Sequence, residues 1–169
     1  MSHDHTAHEG AKKLYDLIKD VKVAMMTTGD LDGSLHSRPM WSHEIDDAGD
    51  LWFFSRGSTG KIAELRKDSQ VNLAFADTSS QSYVSVAGRA EVIRDQAKVK
   101  ELWSEGLRTW FPKGPDDPDI ALIRVHPSAG EYWDSPSATV MQLYGYAKAR
   151  LTGESPTELA ENKKVSLSG

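Results

Sequence analysis

The sequence contains no cysteine. That absence excludes a disulfide framework, a thiolate zinc site and a cysteine nucleophile together. No apolar run approaches the roughly 20 residues that would span a bilayer as a helix. The opening MSHDHTAHEG lacks the basic-then-apolar order of a signal peptide, so a cytoplasmic protein with no membrane partner is expected. Basic charge is also scarce: 20 Lys and Arg stand against 25 Asp and Glu, a formal net charge of −5. A nucleic-acid binder would show a basic excess clustered on one face, so no nucleic-acid partner is expected. There is no GxGxxG, no HExxH, no Ser-His-Asp ordering, no internal repeat and no low-complexity tract.

What is present fits one domain, since 169 residues lie within the usual range. Residues 1–10 are polar and aperiodic and read as a mobile tail, 11–151 as the folded domain, and 152–169 as a second mobile tail. Within the domain, Leu14, Leu17 and Ile18 fall at helical spacing. Strand character follows in Val21–Thr28, in SLHSRPMWSHEI and in LWFFS, separated by Gly- and Asp-rich turns. Ser58 to Lys67 reads as a helix capped by Ser58 or Thr59. Strands return in QVNLAFAD and SYVSVAGRAEVIR, and Asp95 caps a helix from Gln96 to about Leu107. TWFPKGPDDPD is a loop, Ile120–Val125 a strand with a continuation at Gly130–Trp133, and Val140–Leu151 a last helix. Strands joined by short turns are antiparallel, and so many in so short a chain favour a small barrel, which removes exposed edges.

Two stretches carry chemistry. Phe54-Ser55-Arg56-Gly57-Ser58-Thr59-Gly60-Lys61 leaves a buried strand, turns, and enters a helix whose first turn holds Lys61. A helix N-terminus offers unpaired N–H groups, the hydroxyls add donors, and Arg56 and Lys61 add charge, which together suit a phosphate. The plainer alternative is a capped helix with solvated cations. In the second stretch, His36, Arg38 and Met40 share one strand face, and Ser37, Pro39 and Trp41 the other. Arg38 needs an anionic partner if its face is covered, and Pro39 requires an edge or a bulge. Here the alternative is a solvent-facing Arg on an edge strand. Trp41, Trp52, Trp103, Trp110 and Trp133 suit either an aromatic ligand or the core. His3, His5 and His8 form a cluster of metal-ligand type that a flexible tail disfavours, and Asp116, Asp117 and Asp119 read as a solvated acidic loop rather than a divalent-ion site, so no metal is assigned.

In this order the motifs resemble the FMN-binding split-barrel superfamily that includes pyridoxamine 5′-phosphate oxidase, and more narrowly its general stress protein 26 branch. The resemblance spans about residues 12–135. It is carried by Ser37-Arg38-Pro39-Met40-Trp41, by Phe54-Ser55 with Ser58-Thr59-Gly60-Lys61 and Val71-Asn72-Leu73-Ala74-Phe75, and by Glu131-Tyr132-Trp133. Val86-Ala87-Gly88-Arg89-Ala90-Glu91 resembles the family's Gly-centred strand, and the loop Trp110–Pro118 that of the stress-protein branch.

The resemblance implies a mainly β fold with flanking helices, a six-stranded antiparallel split β-barrel. It implies FMN, with FAD as the alternative. Arg38 and Lys61 would neutralise the flavin phosphate and Ser55 would donate to it. Backbone from Arg38 to Ser42 would run along the ring, and Trp133 with Trp110 or Trp103 from a second chain would close the pocket. Pro39, Met40, Trp41, Phe54, Ser58 and Thr59 complete the implied contacts. A homodimer with flavin at the interface and a small-molecule substrate is implied as well. Three departures are visible: Gly60 stands where the oxidases carry Arg, Tyr83 where they carry Gln, and Asp134-Ser135-Pro136-Ser137 where they carry Arg-Leu-His. The expected function is therefore a flavin-binding oxidoreductase linked to stress. A non-catalytic flavin binder, a vitamin B6 oxidase and a barrel with no flavin or a related ligand such as haem or a deazaflavin are the alternatives, and no catalytic residue is named.

Overall fold

The computed structural model describes residues 2–30, 32–135, 150 and 161–167, with side chains described from Glu9 onward. Its elements are α1 (Ser2–Ile18), β1 (Val23–Gly29), β2 (Leu35–Ile45), β3 (Leu51–Arg56), α2 (Gly60–Lys67), β4 (Gln70–Asp77), β5 (Ser82–Ile93), α3 (Gln96–Leu102), a 3₁₀ turn (Glu105–Thr109), β6 (Ile120–Asp134) and β7 (Glu161–Ser166). The strands run in the order β3-β2-β1-β4-β5-β6-β7, all neighbours antiparallel, and a further β3–β6 pairing closes the first six into a barrel.

Closure depends on β6. Its first half, Ile120–Val125, pairs with β3, and its second, Ala129–Asp134, pairs with β7. β5 follows it along both halves, with a bulge between Ala87 and Gly88. Alternation along each strand then sorts the apolar residues. Inward positions such as Ala24, Met26, Leu51, Phe53, Leu73, Val86, Ile123 and Val125 form the barrel core. Trp52, Phe54, Leu122 and Ile120 face outward from β3 and β6, where Val99, Leu102, Leu107 and Phe111 cover them in a second cluster. Beside that cluster, His126 Nδ1 lies 2.7 Å from the buried Asp50 carboxylate, tying the start of β3 to the bend of β6.

Three boundaries differ from the sequence expectation. The polar N-terminal stretch is helical from Ser2, because extending a helix beyond its docked turns costs little once Leu14 and Ile18 are buried. Part of the C-terminal stretch is a strand. β7 inserts only Val165, which meets Gly10 of α1, and is otherwise held by main-chain pairing to β6 and by ion pairs, so it shows no apolar periodicity. The helix expected over 140–151 lies outside the described residues apart from Arg150. The helix expected from 96 to 107 ends at Leu102 and resumes as the 3₁₀ turn, and Asp95 caps it as expected, accepting from the N–H groups of Ala97 and Lys98. Among the described residues no helix is long and apolar enough to cross a membrane.

Gly88 is required by the bulge, since a Cβ there would stand 2.5 Å from the main-chain oxygen of His126, on backbone that cannot move aside alone. Gly88→Ala is expected to cost about 1–3 kcal/mol in urea unfolding, and a wild-type midpoint in this variant would show that the bulge yields.

Candidate functional site

β1 and β2 pair so that Met26 faces Arg38 and Ala24 faces Met40. Met26 and Ala24 are core residues, so Arg38 and Met40 point toward the barrel interior, as the strand alternation predicts. At Pro39 the β3 side of β2 is unpaired, because β2–β3 pairing begins at Ser42 opposite Phe53 and shifts register before Glu44. The missing N–H of Pro39 is thus accommodated on an edge that is later bulged.

The partner that Arg38 needs is supplied by the chain. Its guanidinium donates from Nη2 to Glu64 Oε2 at 2.8 Å and from Nη1 to Thr28 Oγ1 at 2.7 Å. Thr28 Oγ1 in turn donates to Glu64 Oε2 at 2.6 Å, which closes a triangle joining β1, β2 and α2. The side chains of Arg38 and Glu64 are 22% and 11% exposed. Burial pushes the Glu64 pKa up, yet the hydrogen bonds from Thr28 and Arg38 and the charge of Arg38 outweigh it and hold the carboxyl below its ordinary value.

Lys61, one residue into α2, is half-buried beside this triangle. Its ammonium approaches the Met40 sulfur at 3.6 Å, and among the described residues no carboxylate lies within ion-pair distance of it. Burial and the neighbouring Arg38 depress its pKa, against the pull of Glu64. Asp30 and His36 stand 3.4 Å apart at the same rim, and with Glu64 they place three ligand-type atoms within 4.8 Å of one another. Thr28 and Arg38 both donate to Glu64 Oε2, so this carboxylate is already part of the triangle.

The other residues singled out in the sequence divide between two places. Around the β3–α2 turn, Ser58 donates through Oγ and its backbone N–H to Asp119, at 2.9 and 3.0 Å, and Thr59 Oγ1 donates to the Arg56 carbonyl at 2.8 Å. Ser55 is buried with its hydroxyl on the same carbonyl at 3.2 Å, and Arg56 bonds the Trp110 carbonyl at 2.7 Å. Phe54 packs in the second cluster against Phe111, while the Trp110 indole is 62% exposed. Thr59 caps α2 without a side-chain bond to it.

The second place is the outer face of the sheet. Trp41 pairs with Val23, Ala76 with Tyr83, and Tyr83 with Trp133. The next row runs Pro39, Met25, Ala74, Ser85, Glu131 and Lys164. Trp41, Val23, Met25, Tyr83 and Trp133 are all exposed, between 37% and 52%. A shallow depression of about 410 Å³ continues this face over Ser85, Ala87, Ala129, Glu131 and Lys164. Sequence reasoning missed Thr28, Glu64, Val23 and Met25. Glu64 had a signal, since it lies three residues beyond Lys61 on the same helical face.

The profile of proteins described as "Pyridoxamine 5'-phosphate oxidase like" matches residues 9–157. The chain belongs to that family. Among its relatives is protein bli-3 of Neurospora crassa, 30% identical over 146 residues, 80% of this chain and 70% of that protein. General stress protein 26 of Bacillus subtilis is 28% identical over 120 residues, 69% of this chain and 82% of that one. Among solved structures, the general stress FMN/FAD binding protein of Xanthomonas citri superposes with a TM-score of 0.67 at 29% identity, over 78% of this chain and 92% of that chain. The family's split barrel is the six-stranded closed barrel described above.

Thr28 holds both ends of the triangle, so Thr28→Val leaves a buried guanidinium and carboxylate each one bond short. A loss of about 1–3 kcal/mol is expected by chemical denaturation at pH 7. Because the folded-state pKa of Glu64 is depressed, the stability it contributes is full above the ordinary Glu value and fades as pH falls through the folded one. The deficit of Thr28→Val should therefore shrink below about pH 4.5. A deficit independent of pH would remove Glu64 from the explanation.

Proposed function

We propose that the protein binds a phosphorylated flavin, FMN in preference to FAD, with the phosphate between Arg38 and Lys61. The observation that carries this reading is Lys61: a half-buried ammonium beside a guanidinium, with no described carboxylate of its own. Arg38 and Lys61 offer two cations beside Glu64, while the rim carboxylate Asp30 is engaged by His36, so cationic donors are available where burial limits water, the condition for holding a small anion. Arg38 still has three of its five N–H donors beyond the two spent on Thr28 and Glu64. The donor set therefore fits a phosphate ester. The relative from Xanthomonas citri, named as an FMN/FAD binding protein, supports the same ligand class.

A flavin supplies hydride and electron acceptance when bound, and the protein's part is to bind, orient and shield it. Arg38 and Lys61 anchor one end, and backbone from Arg38 to Ser42, unpaired on its β3 side up to Ser42, is free to lie along a ring. The outer sheet face is offered to a second copy. Trp41, Val23, Met25, Tyr83 and Trp133, exposed on β1, β2, β5 and β6, form an apolar face that an isologous pairing with a second copy would cover.

One observation favours binding without vitamin B6 oxidation. Asp134, the residue after Trp133, accepts from Ser82 at 2.8 Å and pairs with Lys13 at 2.6 Å, so that position braces the fold. An oxidoreductase acting on another small molecule and a passive flavin binder both remain consistent with this, and stopped-flow reduction by NADH or NADPH separates them.

The purified protein is expected to quench FMN fluorescence at micromolar concentration, and no quenching would sink the proposal. Lys61→Met should weaken FMN by about 1.5–3 kcal/mol, the worth of a charge-assisted contact, while changing riboflavin little. Sedimentation should give a dimer for the wild type and a monomer for Trp41→Glu. A wild-type monomer would overturn the assignment of the outer face.

A further inference from the structure

The triangle at the mouth has a feature that a simple anion trap would not need. A site selected only to attract phosphate would leave Arg38 uncompensated. Here a carboxylate that is nearly as buried as the core sits against it, bonded at 2.8 Å to one guanidinium nitrogen and at 2.6 Å to Thr28. A buried ion pair adds little to stability compared with an apolar packing of the same volume, so stability alone does not account for it. Its position does have a consequence for charge. Lys61 and Glu64 stand one turn apart on α2, and Arg38 reaches the same spot from β2, so two cations meet Glu64 at this half-buried site, with the Asp30 carboxylate and His36 beside it at the rim. Without the Glu64 charge the two cations would face only Asp30, which is already paired with His36. At the low effective dielectric of such a site a fixed charge is felt much more strongly than in water.

We propose that Glu64 is the selectivity-setting residue of this cradle. By cancelling one of the two cations it limits how strongly the site discriminates a phosphorylated flavin from an unphosphorylated one, and a doubly charged phosphate monoester from a singly charged diester. It also fixes the guanidinium plane through the Thr28 bond, so that the donors left over keep one direction. The inference rests on the flavin-phosphate reading but concerns a residue which that reading does not use as a contact.

The test compares FMN, FAD and riboflavin on wild type, Glu64→Gln and Glu64→Asp. Gln keeps an oxygen for Thr28 and Arg38 and removes the charge. It should bind FMN about tenfold tighter, FAD less so, and riboflavin within about twofold of wild type. The gain in FMN affinity should be expressed in slower release and should fall with added salt. Asp, which keeps the charge, should remain close to wild type in its order of preference. A merely structural brace would shift all three ligands together or none, and either result in a folded Glu64→Gln protein overturns the proposal. Should that variant not fold, Glu64→Met removes the charge at similar volume and is read the same way. If wild type binds FMN and riboflavin equally, the flavin-phosphate reading fails. Glu64 is then judged on inorganic phosphate by thermal shift, where Glu64→Gln should be stabilised more than wild type, and equal stabilisation overturns the inference.

Discussion

Everything in this protein hangs on one strand changing partners. β6 runs fifteen residues, gives its first half to β3 and its second to β7, and keeps β5 alongside through a bulge at Gly88. Without the first half the sheet stays open and both β3 and β6 expose an edge. With it, six strands enclose Phe53, Leu73, Val86 and Ile123, and the hairpin of β1 and β2 is held at a fixed distance from α2. The Asp50–His126 pair and the second apolar cluster lie along the same seam, which therefore also braces the end of β3 from which α2 departs.

On that frame the site is a matter of unequal compensation. Arg38 and Lys61 enter the same mouth from different elements, but only Arg38 meets a carboxylate. The guanidinium suits this division because it can engage two acceptors in one plane and keep donors in reserve, which an ammonium cannot do in a fixed direction. The hydroxyls of the β3–α2 turn are spent otherwise. Ser58 is tied to Asp119 and Thr59 to the Arg56 carbonyl, so they shape the loop that delivers Lys61.

Much of the fold was legible in the sequence because strand alternation and turn residues are local signals. The faces assigned to His36, Arg38 and Met40 against Ser37, Pro39 and Trp41 agree with the pairing to β1, and Pro39 lies on an edge as its missing N–H demands. What was illegible depends on contacts between distant segments. β7 has one inward apolar residue and reads as tail until β6 is present to pair with it. The same limit hid Thr28 and Glu64, whose roles exist only because a strand and a helix meet at Arg38. The outer apolar face was hidden for a different reason. Val23 and Met25 look like core residues in a strand, and only the sheet's sidedness shows that they point to solvent.

Lys13 joins α1 to Asp134 on β6 and to Glu161 on β7, the latter contact spanning 148 positions of sequence. Contacts of such separation are slow to form, because the loop between them must close before anything is gained. The corner where helix, sheet and last strand meet is therefore assembled late.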